Sequence, residues 1–137
     1  MTDVAEGEAP LAGVLAALEA TAHPFGLFLA VDLPFVPEAL LRHLVGLASE
    51  GDAVVPATAQ GPEPLCAVYS RACAAAMRRR VEAKDWRMTS FWSEVNVRIV
   101  AADELRRFGD PGRVFLNLNT RENYKAALRL AGSATTG

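Results

Sequence analysis

Three stretches carry side chains whose type and spacing could do chemistry. In Leu27-Phe28-Leu29-Ala30-Val31-Asp32-Leu33-Pro34-Phe35, five apolar residues run straight into a carboxylate and a proline closes the segment. A carboxylate just past an apolar strand lies where strand and helix ends converge. From that partly dry position its oxygens can hold a hard divalent cation such as Mg²⁺. The same position also suits a cap for the turn, or for a helix starting near Pro37. In Phe115-Leu116-Asn117-Leu118-Asn119-Thr120, Asn117 and Asn119 stand two apart, so in a strand both amides point to one face and could bind a polar ligand. Alternatively Asn119 closes the strand and Thr120 caps the next helix, which still leaves Asn117 in need of a partner. In Glu8-Ala9-Pro10-Leu11-Ala12-Gly13 a proline opens a helix whose free N–H groups can face an anion or a base edge, and Gly13 permits close approach.

Other reactive side chains invite plainer readings. Arg78, Arg79 and Arg80, with Lys84 and Arg87 nearby, form a basic run on a helix and its end, either a solvated face or a phosphate contact. His23 and His43 stand alone and read as surface or capping residues. Cys66 and Cys73 form no CxxC pair and have no clustered histidines, so they read as small buried residues.

The elements that must position these groups alternate in type. Leu11, Val14, Leu15 and Leu18 recur at helical spacing between Ala9 and Ala22. Leu27 to Val31 reads as a strand covered on both faces, followed by a helix from Pro37 to Gly51 with Leu40, Leu41, Leu44, Val45 and Leu47 as its buried stripe. Further strands are expected at Asp52–Pro56, Leu65–Tyr69, Val95–Ile99 and Val114–Leu118. Helices are expected from a Ser70 cap to about Lys84, at Ala101–Phe108 and from Thr120 to Leu130. The pattern predicts a layered α/β domain with a mainly parallel sheet flanked by helices, whose ligands bind beyond the carboxyl ends of the strands.

At 137 residues the chain is long enough for one real core, expected over residues 1–131, with residues 132–137 as a frayed tail. A net charge of -2 gives no global reason to expect nucleic acid or an anionic membrane as partner. No apolar run reaches the length of a bilayer span and the amino terminus is acidic, so the expected location is the cytoplasm.

Taken in order, APLAG, VDLPFVP, EPLCAVYSR, WRMTSF and FLNLNT resemble the molybdenum cofactor guanylyltransferases, the MobA-like NTP transferases, from about Asp3 to Leu128. The resemblance implies a nucleotide-diphospho-sugar transferase-like fold and transfer of GMP from Mg-GTP to the phosphate of molybdopterin, with release of pyrophosphate. It implies that Asp32 binds Mg²⁺ and the nucleotide phosphates, in a motif usually written CDxPF where Val31 here replaces the cysteine. Leu11, Ala12 and Gly13 match a GPLAG segment beside the nucleotide, with Ala9 in place of the usual glycine, and Asp3 lies where a further nucleotide-contacting aspartate tends to occur. Asn117 and Asn119 match the asparagines of NxNTPED, facing the pterin, while Arg121 and Asn123 replace the proline and aspartate.

The family also has a glycine-rich loop, LAGGxSxRMGxDK, whose backbone N–H groups and lysine hold the triphosphate, and these residues contain nothing like it. The resemblance therefore implies that the first strand and this loop are missing and that the chain alone has very low activity, since single oxyanion-type contacts are worth about 3 to 4 kcal/mol. It further implies that the strand ending at Asp32 has a bare edge, which calls for a partner chain or self-association unless the coding sequence is incomplete. GTP against CTP stays open, as do a related cytidylyltransferase and a non-catalytic module that binds the cofactor or assists assembly.

Overall fold

The computed structural model describes residues 9–30 and 33–116, arranged as a sheet between two helical layers. Helix α1 (Ala9–Ala20) leads through four residues into β1 (Phe25–Leu29), and α2 (Glu38–Gly46) follows. A 3-10 turn at Ala48–Glu50 leads to β2 (Ala53–Thr58), the two-residue β3 (Gly61–Pro62) and β4 (Cys66–Ser70). A 3-10 turn and α3 (Ala74–Glu82) come next, then β5 (Val97–Val100), α4 (Ala102–Leu105) with a 3-10 continuation to Phe108, and α5 (Pro111–Val114).

The alternating side chains of β2 and β4 build both cores. Ala53, Val55, Ala67 and Tyr69 face α1 and α3, where they pack with Leu11, Val14, Leu15, Leu18, Met77 and Phe91. Val54, Cys66 and Val68 face the other way, onto Leu40 and Leu44 of α2, Leu105 of α4 and Val114 of α5. Strands buried on both faces read as unbroken apolar runs, as these do.

The expected mainly parallel sheet holds in strand direction but differs in its central ladder. β1, β2 and β5 point one way, β2 and β5 pair in parallel, and β4 runs against β1 on one side and β2 on the other. Connection length is the reason. Only Ala59–Leu65 separate β2 from β4, and a parallel return needs a crossover of a dozen residues or more. Gly61, at φ +117°, lets the chain turn back against β2.

β1 is shifted from the expected Leu27–Val31 and is not covered on both faces: Leu27 is 38% and Leu29 41% exposed. Its one pairing among the described residues is with β4, in register from Phe25↔Ser70 to Leu29↔Cys66. The expected strand from Val114 fails in its described part, because Pro111 at the start of α5 presets a helical turn that Val114 completes. Ser70 makes no capping hydrogen bond, and α3 begins instead after the 3-10 turn Arg71–Cys73. The predicted helix from Thr120 to Leu130 and the tail 132–137 lie outside the described residues.

Candidate functional site

At one end of the sheet β1, β2 and β5 all leave it by their carboxyl ends, and β4 enters it. The four-residue link between α1 and β1 makes the two run antiparallel, so the first turn of α1 lies at this same end. Leu11 is fully buried beneath that turn and cannot offer its side chain to a nucleotide. Ala12 is half-buried and Gly13 exposed, with nothing within 4 Å of where a Cβ would stand. Among the described residues, packing does not require a glycine at position 13. Asp3, Asp32, Asn117 and Asn119 lie outside the described residues. The N-cap position of α2 is Pro37, with no side-chain capping hydrogen bond among the described residues.

What the described residues do build here is a rigid turn, Pro62-Glu63-Pro64-Leu65, at the head of β4. Glu63 N–H donates to the Pro56 carbonyl (2.8 Å), Cys66 N–H to the Glu63 carbonyl (3.1 Å) and Ala30 N–H to the Leu65 carbonyl (2.8 Å). From below, the hydroxyl of fully buried Tyr69 donates to the Pro64 carbonyl at 2.6 Å. The Glu63 side chain is half-buried, and burial raises its carboxyl above the ordinary range, with no hydrogen bond or ion pair to it among the described residues. In the sequence Glu63 stands among the turn formers Gly61, Pro62 and Pro64 and was not singled out. The signal was the one that picked out Asp32, a carboxylate beside prolines at the mouth of an apolar strand. Beyond β2 and β5, a cavity of about 160 Å³ is lined by Thr58, Gln60, Arg106 and Asp110 among others.

Several reactive groups are already committed elsewhere. Arg78 binds Glu19 of α1, while Arg79 and Arg80 both bind Glu94, so the basic run is a solvated face laced with exposed ion pairs. Burial pushes the Cys66 thiol up to about 12, helped by the Glu63 charge, and the Cys73 thiol up to about 11. Neither supplies a thiolate, as their reading as core residues requires.

His43 is more than a surface residue. Its ring bonds to Glu104 and lies 5.0 Å from the Phe108 ring, and Arg98 joins Glu50 (3.0 Å) to Glu104 (3.1 Å). The network ties α2 and β5 to α4, the helix that leads into the cavity lining. His43 and then Arg98 hold the Glu104 carboxyl below its ordinary range. A lowered carboxyl stabilises the fold above the unfolded value, about 4.3, and that stability is lost as pH falls through the lower folded value. Unfolding free energies of wild type and Glu104→Gln from urea titration should therefore differ by about 1 kcal/mol at neutral pH and converge only below the ordinary carboxylate range. Equal midpoints at neutral pH would show that the network contributes nothing.

The model of the family described as the MobA-like NTP transferase domain matches residues 1–95. A protein of Desulfosudis oleivorans named molybdenum cofactor guanylyltransferase is 33% identical over 128 residues, which are 92% of this chain and 63% of that protein. One from Pelotomaculum thermopropionicum, named probable molybdenum cofactor guanylyltransferase, is 33% identical over 135 residues, 98% of this chain and 66% of that protein. Among solved structures, molybdopterin-guanine dinucleotide biosynthesis protein A from Archaeoglobus fulgidus matches at a TM-score of 0.79 and 29% identity, over 90% of this chain and 63% of that one. The chain thus spans a little under two thirds of the length of these relatives.

Proposed function

The chain belongs to the MobA-like NTP transferase family, and from that premise we propose that it contributes the acceptor-side part of a molybdenum cofactor guanylyltransferase. The reaction is in-line transfer of GMP from Mg-GTP to the phosphate of molybdopterin, releasing pyrophosphate, in the cytoplasm. The observation that carries the reading is the family match over residues 1–95, which spans the first turn of α1, Asp32 and the Glu63 turn. In this reading Asp32 holds the metal and phosphates, Leu11 to Gly13 present backbone to the nucleotide, Asp3 adds a nucleotide contact, and Asn117 and Asn119 face the acceptor. The donor set suits magnesium: one carboxylate completed by substrate phosphates is a common way to hold it. Among the described residues no group of three His, Cys, Asp or Glu suggests another ion. When bound with GTP, magnesium neutralises triphosphate charge. The protein's own share is positioning, which requires attacking phosphate and α-phosphorus to be aligned within a closed, rigid site.

The glycine-rich segment that would hold the triphosphate is not among these 137 residues, so in this reading another segment supplies it. β1 is where it would join. Its edge away from β4 is unpaired among the described residues, and on the face toward α2 Leu27 opens into an apolar groove of about 360 Å³ with Leu41 and Val45. An added strand would bring the loop to the carboxyl end of β1, beside α1. Mixing the chain with a fragment bearing the strand and glycine-rich loop is expected to raise Mg-GTP-dependent pyrophosphate release by at least about tenfold over either part alone. Molybdopterin binding with no release under any mixture would sink the enzymatic reading and leave a cofactor-binding module. Equal use of CTP would weaken the guanylyl assignment.

A further inference from the structure

The turn that carries Glu63 is over-determined. Two prolines fix φ at positions 62 and 64, three backbone hydrogen bonds tie it to β1, β2 and β4, and the Tyr69 hydroxyl holds it from the core. Rigid presentation of a side chain is what a binding site needs, and a bare turn does not. Yet the side chain so presented is half-buried and has no partner among the described residues. A carboxylate placed in this way costs stability unless something donates to it.

Of the groups in the proposed reaction, phosphates only repel a carboxylate. A 2-amino-4-oxopyrimidine edge does the opposite: its ring N–H and exocyclic amine form a pair of adjacent donors that match the two oxygens of one carboxylate. Both the pterin of the acceptor and the guanine of the donor carry that edge. We infer that Glu63 holds a 2-amino-4-oxopyrimidine ring by accepting both of these N–H bonds on its carboxylate. The inference rests on the proposed transferase reading for its choice of ring. No protein-held proton moves and no bond is made or broken by Glu63; it is a binding residue.

The test titrates the full chain and its Glu63→Gln and Glu63→Asp variants with pterin, with lumazine, which has an oxo group in place of the 2-amine, and with guanosine. Wild type should prefer pterin to lumazine about tenfold or more, because a site built to bond an amine leaves its acceptor unpaired when the amine is absent. Glu63→Gln should lose about tenfold in pterin affinity together with that preference, and Glu63→Asp should lose less. Loss for pterin with guanosine unaffected assigns the acceptor ring, whereas loss for guanosine alone assigns the donor ring; both support an edge-reading Glu63. Unchanged pterin and guanosine affinities in Glu63→Gln, or no binding of either ring to wild type, overturn the inference. Pyrophosphate release by the complemented chain is scored separately. Normal release with unaltered ring binding in Glu63→Gln sinks this inference alone, and ring binding lost in Glu63→Gln without release from any mixture sinks the transferase reading alone.

Discussion

Replacing Asp32 by asparagine is expected to lower Mg-GTP turnover of the complemented protein by about 10²–10³-fold, the size of effect seen when one group that stabilises transition-state charge is removed. Asparagine keeps the shape and the hydrogen-bonding reach of the side chain and removes only the charge that binds a hard cation. The loss should therefore appear in kcat and in the magnesium concentration needed for half activity, with little change in pterin affinity or in urea midpoint. If Asp32 were instead a turn cap, Asp32→Asn would be nearly silent, because asparagine caps about as well as aspartate. Turnover within threefold of wild type would therefore return Asp32 to that structural role. The contrast with Glu63→Gln is useful, since that change is expected to act on ring binding and to leave the magnesium dependence alone.

The layered architecture was legible because its signals are local. Leu11, Val14, Leu15 and Leu18 sit one helical turn apart and are buried together, and the stripe of α2 reaches the core through Leu40 and Leu44. β2 and β4 were recognisable as apolar runs flanked by turn residues. What escaped depends on pairs distant in sequence. The direction of β4 follows from the length of its connection to β2, a question of topology that periodicity does not address. His43 looked isolated because its partner Glu104 lies 61 residues away. Glu63 was overlooked because turn-rich stretches are read for their glycines and prolines, and only the folded turn brings its neighbours Pro56, Ala30 and Tyr69 together. The expectation of a strand covered on both faces at Leu27 failed for the same reason. Coverage is a property of neighbours, and no α2 side chain extends over Leu27 far enough to close the groove.

Tyr69 is where stability and site meet, and its variants should show the largest stability effects. The ring is fully buried, with the rings of Phe28 and Phe91 at 5.8 and 6.0 Å, and the hydroxyl donates to the Pro64 carbonyl. Tyr69→Ala removes a large core side chain, at about 3–5 kcal/mol, out of a total that for a domain of this kind is about 5–15 kcal/mol. It should be partly unfolded at 37 °C. Tyr69→Phe keeps the ring and deletes only the donor, leaving a carbonyl short of its partner at about 1–3 kcal/mol. Burial also raises the phenol above its ordinary range, so the donor persists through neutral pH; its contribution is complete below the unfolded value, about 10, and is lost as pH rises through the folded one. Urea titration measures both losses, and a Tyr69→Phe midpoint equal to wild type would show that the hydroxyl does not hold the turn. If it does hold the turn, Tyr69→Phe should also speed amide exchange at Ala30 and Cys66 and weaken pterin binding, although the substituted atom lies in the core and touches no ligand. Glu63→Gln should move in the opposite sense on one axis. A carboxyl raised by burial stabilises the fold only below its unfolded value and loses that contribution as pH rises through the folded one, so removing the charge should make the protein more stable at neutral pH while it binds the ring less well. Opposite signs for stability and binding at Glu63, with matching signs at Tyr69, distinguish a residue kept for a ligand from one kept for the fold that presents it.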